Sequence, residues 1–265
     1  MNKTPVVILG CGYTGQRVLD HLRADDVPVI ATSRTRRHDR VSFEVSDPSV
    51  DLSFIPFEAR VLYSIPNVLP HITAALAERQ PSRLIYVSTT GVYGAQKHVD
   101  AASSAAPDRP EMVARVVAEQ SILNGRWSGA VLRPAAIYGP DRGIHRRVQE
   151  GTFRLGPGEQ GNYISRIHVH DLSRIVVRML ESDIEGAWPV ADDHPCPSLE
   201  IAQFTAEILG ISAAFPADPE PLHATRRSDR RVRGDELRTV LGLELRYPSY
   251  HPAIREALGV DFSTP

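Results

Sequence analysis

A doubly wound α/β fold on a parallel sheet, with a smaller C-terminal lobe, is what this sequence predicts. Three observations carry that expectation. Near the start, the β-branched run Val6-Val7-Ile8-Leu9 enters Gly10-Cys11-Gly12-Tyr13-Thr14-Gly15 and then an amphipathic stretch with Val18, Leu19 and Leu22 on one face. Short apolar runs then alternate with helical stripes as far as Pro134, the pattern of βα units. From about Tyr138 Gly and Pro become frequent and the helices shorten, so residues 1–137 read as one domain and 138–265 as the lobe, parts of which could return to the main sheet.

The first strand is the buried run before the glycines, and Gly15 opens the first helix. Strand, glycine turn and helix together present backbone N–H groups and a helix N-terminus to a pyrophosphate, the Rossmann-type arrangement. Gly10 permits the tight turn, Gly12 lets the backbone approach the phosphates, and Gly15 lets helix and strand pack closely. Residues 27–31 read as the second strand and 41–45 as a short third. Residues 60–65 make a fourth, broken by Pro66. A helix marked by Ile72, Ala75 and Leu76 ends before Pro81, and residues 84–87 form the fifth strand. Residues 101–107 are small and polar enough for a loop. A helix over 111–123 follows, with Met112, Val113, Val116, Val117 and Leu123 expected inward, then a sixth strand over 130–132 stopped by Pro134. In the lobe, Leu172, Ile175, Val176, Met179 and Leu180 share one helical face. Ile201, Phe204, Thr205, Ile208 and Leu209 share another, and a last helix covers 252–258.

Composition excludes several classes. A net charge of −2 and a pI near 6.6 favour neither nucleic acid nor a membrane surface as partner. No apolar stretch approaches the ~20 residues that span a bilayer. Met1-Asn2-Lys3-Thr4-Pro5 runs straight into the first strand, which leaves no room for a signal peptide. Cys11 and Cys196 are too few for a disulfide framework, so a cytoplasmic location is expected. His168-Val169-His170 and His194-Pro195-Cys196 invite a metal reading, but the first pair is expected to alternate along one strand with rings on opposite faces, the second lies in a proline-rich turn without zinc-type spacing, and no metal is expected. His168 is expected at the substrate, while His170 with Asp171 is expected to cap the following helix. The arginine-rich run 226–233 reads as a solvated face, with a substrate phosphate site as the rival.

Four segments in order point to a family. The glycine turn is joined by Tyr86-Val87-Ser88-Thr89-Thr90-Gly91-Val92-Tyr93-Gly94, by Leu132-Arg133-Pro134-Ala135-Ala136-Ile137-Tyr138-Gly139-Pro140 and by Ile167-His168-Val169-His170-Asp171-Leu172. Together they resemble the extended short-chain dehydrogenase/reductases, the NAD(P)-dependent epimerase/dehydratase superfamily. The compact length and the Ser-Thr-Thr-Gly-Val-Tyr-Gly string resemble its atypical YeeZ-like branch.

The resemblance implies a hydride-transfer site in which a Ser or Thr polarises the substrate oxygen, a Tyr moves the proton, and a Lys four residues later lowers the Tyr pKa. Thr89 falls at the hydroxyl position, where a strand-end hydroxyl satisfying backbone is the competing reading. Thr90 and Gly91 stand where the dehydratases carry an Asp-Glu pair, which argues against water elimination. Alignment on Ala118-Glu119 puts Arg115 at the Lys position, where it could bind the ribose, and Glu111 at the Tyr position, where it reads as an ordinary helix start. Tyr93 and Lys97 spell a literal YxxxK in a loop, read as a decoy; Tyr93 is nonetheless the first choice for proton transfer, and Tyr138 the second, with a place at the substrate. Arg133 reads as a structural ion-pair partner.

For the coenzyme, Thr32-Ser33-Arg34-Thr35-Arg36-Arg37 has no acid before Asp39, which favours NADP over NAD through Ser33 and Arg34. Tyr13 and Thr14 in the turn, Ile65 at the end of the fourth strand and Pro134 after the sixth complete the expected coenzyme contacts. The expected activity is an oxidoreductase or epimerase on a small hydroxylated substrate, a sugar or sugar nucleotide among the candidates. A coenzyme-binding sensor or scaffold without catalysis is the alternative, motivated by the missing Tyr-Lys pair. A homodimer is expected only by analogy with relatives that pair through two helices.

Overall fold

The computed structural model describes residues 4–35, 37–156, 159–217 and 229–260. The chain divides into two units: Met1–Gly94, Pro107–Arg133 and Leu172–Trp188 form the first, and Ala95–Ala106, Pro134–Asp171 and Pro189–Pro265 the second.

The first unit is built on a seven-stranded parallel sheet of β1 (Val6–Leu9), β2 (Val29–Ser33), β3 (Val41–Ser42), β4 (Arg60–Tyr63), β5 (Arg83–Val87), β6 (Ser128–Pro134) and β7 (Gly186–Val190). Their spatial order is β7-β6-β5-β4-β1-β2-β3. β1, the start of the chain, therefore lies between β2 and β4, with Val6 opposite both Val29 and Arg60. The order reverses there, and ligands of such sheets bind outside the carboxyl ends at that switch point. β1 and β5 are buried at every position, as expected of strands covered on both faces. Helices α1 (Tyr13–Ala24), α2 (Pro70–Arg79) and α3 (Pro110–Leu123) belong to this unit. So does most of the helix Val169–Glu181, whose Leu172, Ile175, Val176, Met179 and Leu180 are buried as their spacing predicts.

Arg83, at the start of β5, is 4% exposed and fastens this part of the unit. Its Nε donates to the Met179 carbonyl at 3.1 Å, and its terminal nitrogens meet Ser128 and the Ile184 carbonyl.

Three local expectations are corrected. The second strand starts at Val29, not at 27, because Pro28 has no N–H to place in the ladder. α3 does not turn Val113 and Val117 inward: they are 48% and 63% exposed, while Ala118, Glu119 and Ile122 face the core. The buried Glu119–Arg133 ion pair sets that face. His168 ends a strand and His170 lies in the first turn of the helix Val169–Glu181, so the two do not share one strand.

The second unit contains α4 (Ile144–Gln149), α5 (Val169–Glu181, by its first residues), α6 (Ser198–Leu209), α7 (Asp235–Leu241) and α8 (Tyr250–Ala257). Its short strands pair locally: Ala136–Tyr138 with Arg166–His168 in parallel, and Cys196–Pro197 with Tyr163–Ile164 antiparallel. Arg231–Val232 lies parallel to His98–Val99. Tyr138, Ile144, Phe153, Ile201, Tyr250 and Ile254 share its apolar core. Among the described residues no helix is long and apolar enough to cross a membrane.

Candidate functional site

The glycine turn is shaped by contacts from three directions. Gly10 has φ +90, and a Cβ there would lie 2.5 Å from Ile65 Cγ1. The chain after β4 that carries Ile65 is itself held by two phenols, Tyr63 donating to the Asn67 carbonyl and Tyr86 to that of Pro66. Thr32 Oγ1 accepts from the Gly10 N–H at 3.0 Å and donates to the Ile8 carbonyl at 3.2 Å, tying the turn to β1 and β2. Gly15 brings α1 so close that a Cβ there would meet the Gly10 carbonyl at 2.8 Å. Gly12 differs: it is exposed, and among the described residues nothing lies within 4 Å of where its Cβ would be. That open space faces the first turn of α1, where Thr14 and Gly15 have no carbonyl inside the helix to bond. Positive helix-end potential and close backbone access fit a diphosphate. Tyr13 is packed under the Arg17 guanidinium, 4.0 Å from its ring centre.

At the end of β2, Ser33 Oγ donates to the Thr35 carbonyl at 2.5 Å and Arg34 is exposed. Arg36 lies outside the described residues. Arg40, which sequence spacing did not single out, reaches the turn: Nη1 donates to the Cys11 carbonyl at 2.9 Å and Nη2 to Gln16 Oε1. Its side chain is 5% exposed, and its Nε, 3.8 Å from Asp39 Oδ1, has no hydrogen-bond partner among the described residues.

In the second unit, Tyr138 and His168 come together. Their rings meet edge to face at 5.1 Å, and the His168 ring lies tilted at 48° against that of Tyr247, 4.0 Å between centres. Tyr138 donates to the Ser249 carbonyl, and burial holds its phenol well above the ordinary value. His170 and Asp171 lie inside the first turn of the helix rather than ahead of it, and the His170 N–H donates to His168 Nδ1 at 3.3 Å. Asp171, fully buried, instead accepts from the backbone amides of Arg246 and Tyr247, both at 2.9 Å. Burial raises its pKa, but these bonds and His170 outweigh that and hold the carboxyl below its ordinary value. Of the arginine-rich run, residues 226–228 lie outside the described residues. Arg230 donates to the Gln96 carbonyl, and Arg231 covers the Tyr163 ring at 3.5 Å.

Tyr138 also lines a cavity of about 450 Å³. Arg142, Arg146, Arg147, Arg154 and Arg166 line it against two acids, Asp141 and Glu150. Two residues that line it each carry a buried polar atom with no hydrogen-bond partner among the described residues, Arg166 Nη1 and Ser198 Oγ. Their residues are 3% and 4% exposed. A buried donor left unpaired costs about 1–3 kcal/mol, more for a charged group, so the pair marks a place built for an acceptor. Neither residue stood out in the sequence, because their unpaired state depends on contacts distant along the chain.

No family model matches the chain, and a search of curated proteins finds no match. Solved structures do match. A functionally unknown conserved protein from Silicibacter pomeroyi is 26% identical, with a TM-score of 0.83 over 97% of this chain and 99% of that one. A Methylobacillus flagellatus protein assigned as an NAD-dependent epimerase/dehydratase is 20% identical, with a TM-score of 0.78 over 98% of each chain. UDP-glucose 4-epimerase from Thermotoga maritima, solved with UDP-glucose, is 14% identical, with a TM-score of 0.81 over 97% and 98%. The fold is that of the extended short-chain dehydrogenase/reductases. Other matched structures of this fold hold UDP-glucose with NAD, or NADPH.

Thr89 and Tyr93, the hydroxyl and phenol singled out in the sequence, follow the end of β5. Thr89 caps the single turn Thr90–Tyr93, its Oγ1 accepting from the Gly91 N–H at 3.1 Å. A hydroxyl that accepts this way keeps its own proton to donate. Tyr93 is fully buried, and its oxygen accepts from Arg133 Nη1 at 3.2 Å. Arg133 is paired with Glu119 at 2.6 Å, and Ser88 Oγ donates to the same carboxylate at 2.5 Å. Arg115 donates to the Tyr86 phenol at 3.2 Å; burial pushes that phenol up to about 12 while Arg115 pulls the other way. Glu111 sits in the first turn of α3 after Pro110 and pairs with Arg109, an ordinary helix start. Lys97 pairs with Asp229 at 3.4 Å. Pro134 is the last residue of β6.

Proposed function

We propose that the chain is a nicotinamide-coenzyme-dependent oxidoreductase or epimerase acting on a hydroxylated, anion-bearing substrate of the sugar-nucleotide kind. The observation that carries this reading is the open space above Gly12 in a turn otherwise held rigidly from every side. It accommodates the coenzyme diphosphate, with Gly10, Gly12, Tyr13, Thr14 and Gly15 as contacts and Ile65 as the wall beside them. The nicotinamide, when bound, accepts and returns a hydride. Thr89 orients the reacting oxygen with its free proton, and Tyr93, whose oxygen already receives an N–H from Arg133, exchanges the proton. To the nicotinamide ribose we assign Arg115 and Pro134, and to the substrate Tyr138 and His168. Ser33 and Arg34 favour NADP, with Arg40 holding the turn beneath them. Arg166 Nη1 and Ser198 Oγ receive the substrate anion, which the arginine-rich cavity attracts. The Ser-Thr-Thr-Gly-Val-Tyr-Gly string is the feature that supports a YeeZ-like assignment within that class.

A second reading is favoured by Arg115, whose reach to Tyr86 differs from the family's lysine: a coenzyme-binding sensor without catalysis. Calorimetric titration with NADPH and NADH tests the shared premise, and absence of heat with both would end both readings. Turnover of sugar nucleotides with NADPH or NADP then separates them. Loss of turnover but not of coenzyme affinity in Thr89→Ala and Tyr93→Phe supports the enzyme. A wild-type chain that binds coenzyme yet turns over nothing in the panel supports the sensor.

A further inference from the structure

We propose that His194, Cys196 and Glu200 form a binding site for a zinc-class divalent metal ion. One ligand atom from each, a His194 ring nitrogen, Cys196 Sγ and a Glu200 carboxylate oxygen, lies within 4.8 Å of the other two, and His194 Nε2 meets Glu200 Oε1 at 2.8 Å. Nitrogen, sulfur and oxygen are the three donor types that zinc takes, at about 2.0–2.3 Å from the metal. An ion at the centre needs the three atoms within roughly twice that distance of each other. His194 and Glu200 are each 42% exposed and can turn to close on it, while Cys196 is 2% exposed and fixes the base.

Local chain geometry explains how they converge. Cys196 lies on the strand paired with Tyr163–Ile164, and that strand leads directly into α6, whose first turn carries Glu200. His194 is held from the other side by its backbone N–H, which donates to Asp192 Oδ1 at 3.3 Å. Metal-ligand spacing was not visible in His194-Pro195-Cys196 alone, because the third donor comes from the following helix.

Outer contacts suit the same purpose. Tyr250 donates its hydroxyl to Glu200 Oε1 at 2.9 Å, orienting the carboxylate. Arg166 Nη2 donates to Cys196 Sγ at 3.2 Å, a contact that stabilises a thiolate. Without metal, burial pushes the Cys196 thiol up to about 11, so the ion has to displace its proton. That proton leaves to solvent, His194 offers its Nε2 lone pair, and water takes the fourth position. Thiolate and carboxylate then neutralise the two charges of the ion.

The site does not rest on the coenzyme reading, and its test uses the metal alone. Co(II) added to the metal-free protein is expected to give a thiolate-to-cobalt charge-transfer band in the near ultraviolet, with intense visible bands of a tetrahedral ion. The band should persist in Cys11→Ser and vanish in Cys196→Ser, with circular dichroism showing that the latter is folded. Tyr250→Phe should keep the band but weaken Co(II) affinity about 10-fold, the effect of losing an orienting contact. Competition by Zn(II) should bleach the spectrum. A folded wild-type protein that shows no such band, or a band that survives Cys196→Ser, overturns the proposal.

Discussion

Two glycines of one turn make opposite predictions. Gly10 has φ +90 and its missing Cβ is already crowded by Ile65, so Gly10→Ala should destabilise the fold by about 1–3 kcal/mol in urea unfolding. Gly12 has φ −88 and empty space where a side chain would go, so Gly12→Val should leave the unfolding midpoint almost unchanged. The same valine should abolish calorimetric binding of NADPH, because it fills the diphosphate position. Asp192 makes a pH prediction. It is 2% exposed, and burial pushes its pKa up to about 7 from 3.8, with Arg166 pulling the other way. The folded protein therefore binds more protons than the unfolded chain between those values, so stability is full below pH 4 as far as this group is concerned. It falls as pH rises through 7, at a slope of up to roughly 1.4 kcal/mol per pH unit. Asp192→Asn should flatten that slope and be the more stable protein at pH 8, measured by urea unfolding across pH.

At the scale of single elements, α3 is the most instructive. Its inward face carries Glu119, buried against Arg133 and Ser88 at the ends of β5 and β6. Glu119→Gln should cost about 3–5 kcal/mol, because it leaves a buried guanidinium without its counter-charge. Its outward face carries Val113 and Val117. Why the sequence misplaced these valines is clear: apolar residues lie all around α3, so helical period alone does not choose the buried face. The glycine turn was legible because strand, turn and helix are contiguous. Thr32 and Arg40 were not legible as its supports, since they approach from 22 and 29 residues away. Arg166 and Ser198 were hidden for the same reason, and Glu200 because its partners precede it on a different element.

Across the whole molecule, the alternation of strands and helices made the sheet readable, including the buried stripe of the helix Val169–Glu181. Less readable was how the chain is shared between units, because contact between distant segments leaves no periodic trace. The first unit takes Leu172–Trp188, and β7 closes the sheet beside β6. A fragment of residues 1–137 would lack that edge strand and the helix that Arg83 holds, and should show no cooperative thermal transition and aggregate at micromolar concentration. The full chain is the control. During synthesis the consequence is temporal. The opening βα repeats emerge from the ribosome long before their missing border does, and they must wait with an unpaired margin until residue 190 has cleared the exit tunnel. Ribosome-associated chaperones should therefore linger on this nascent chain well beyond its nucleotide-type half.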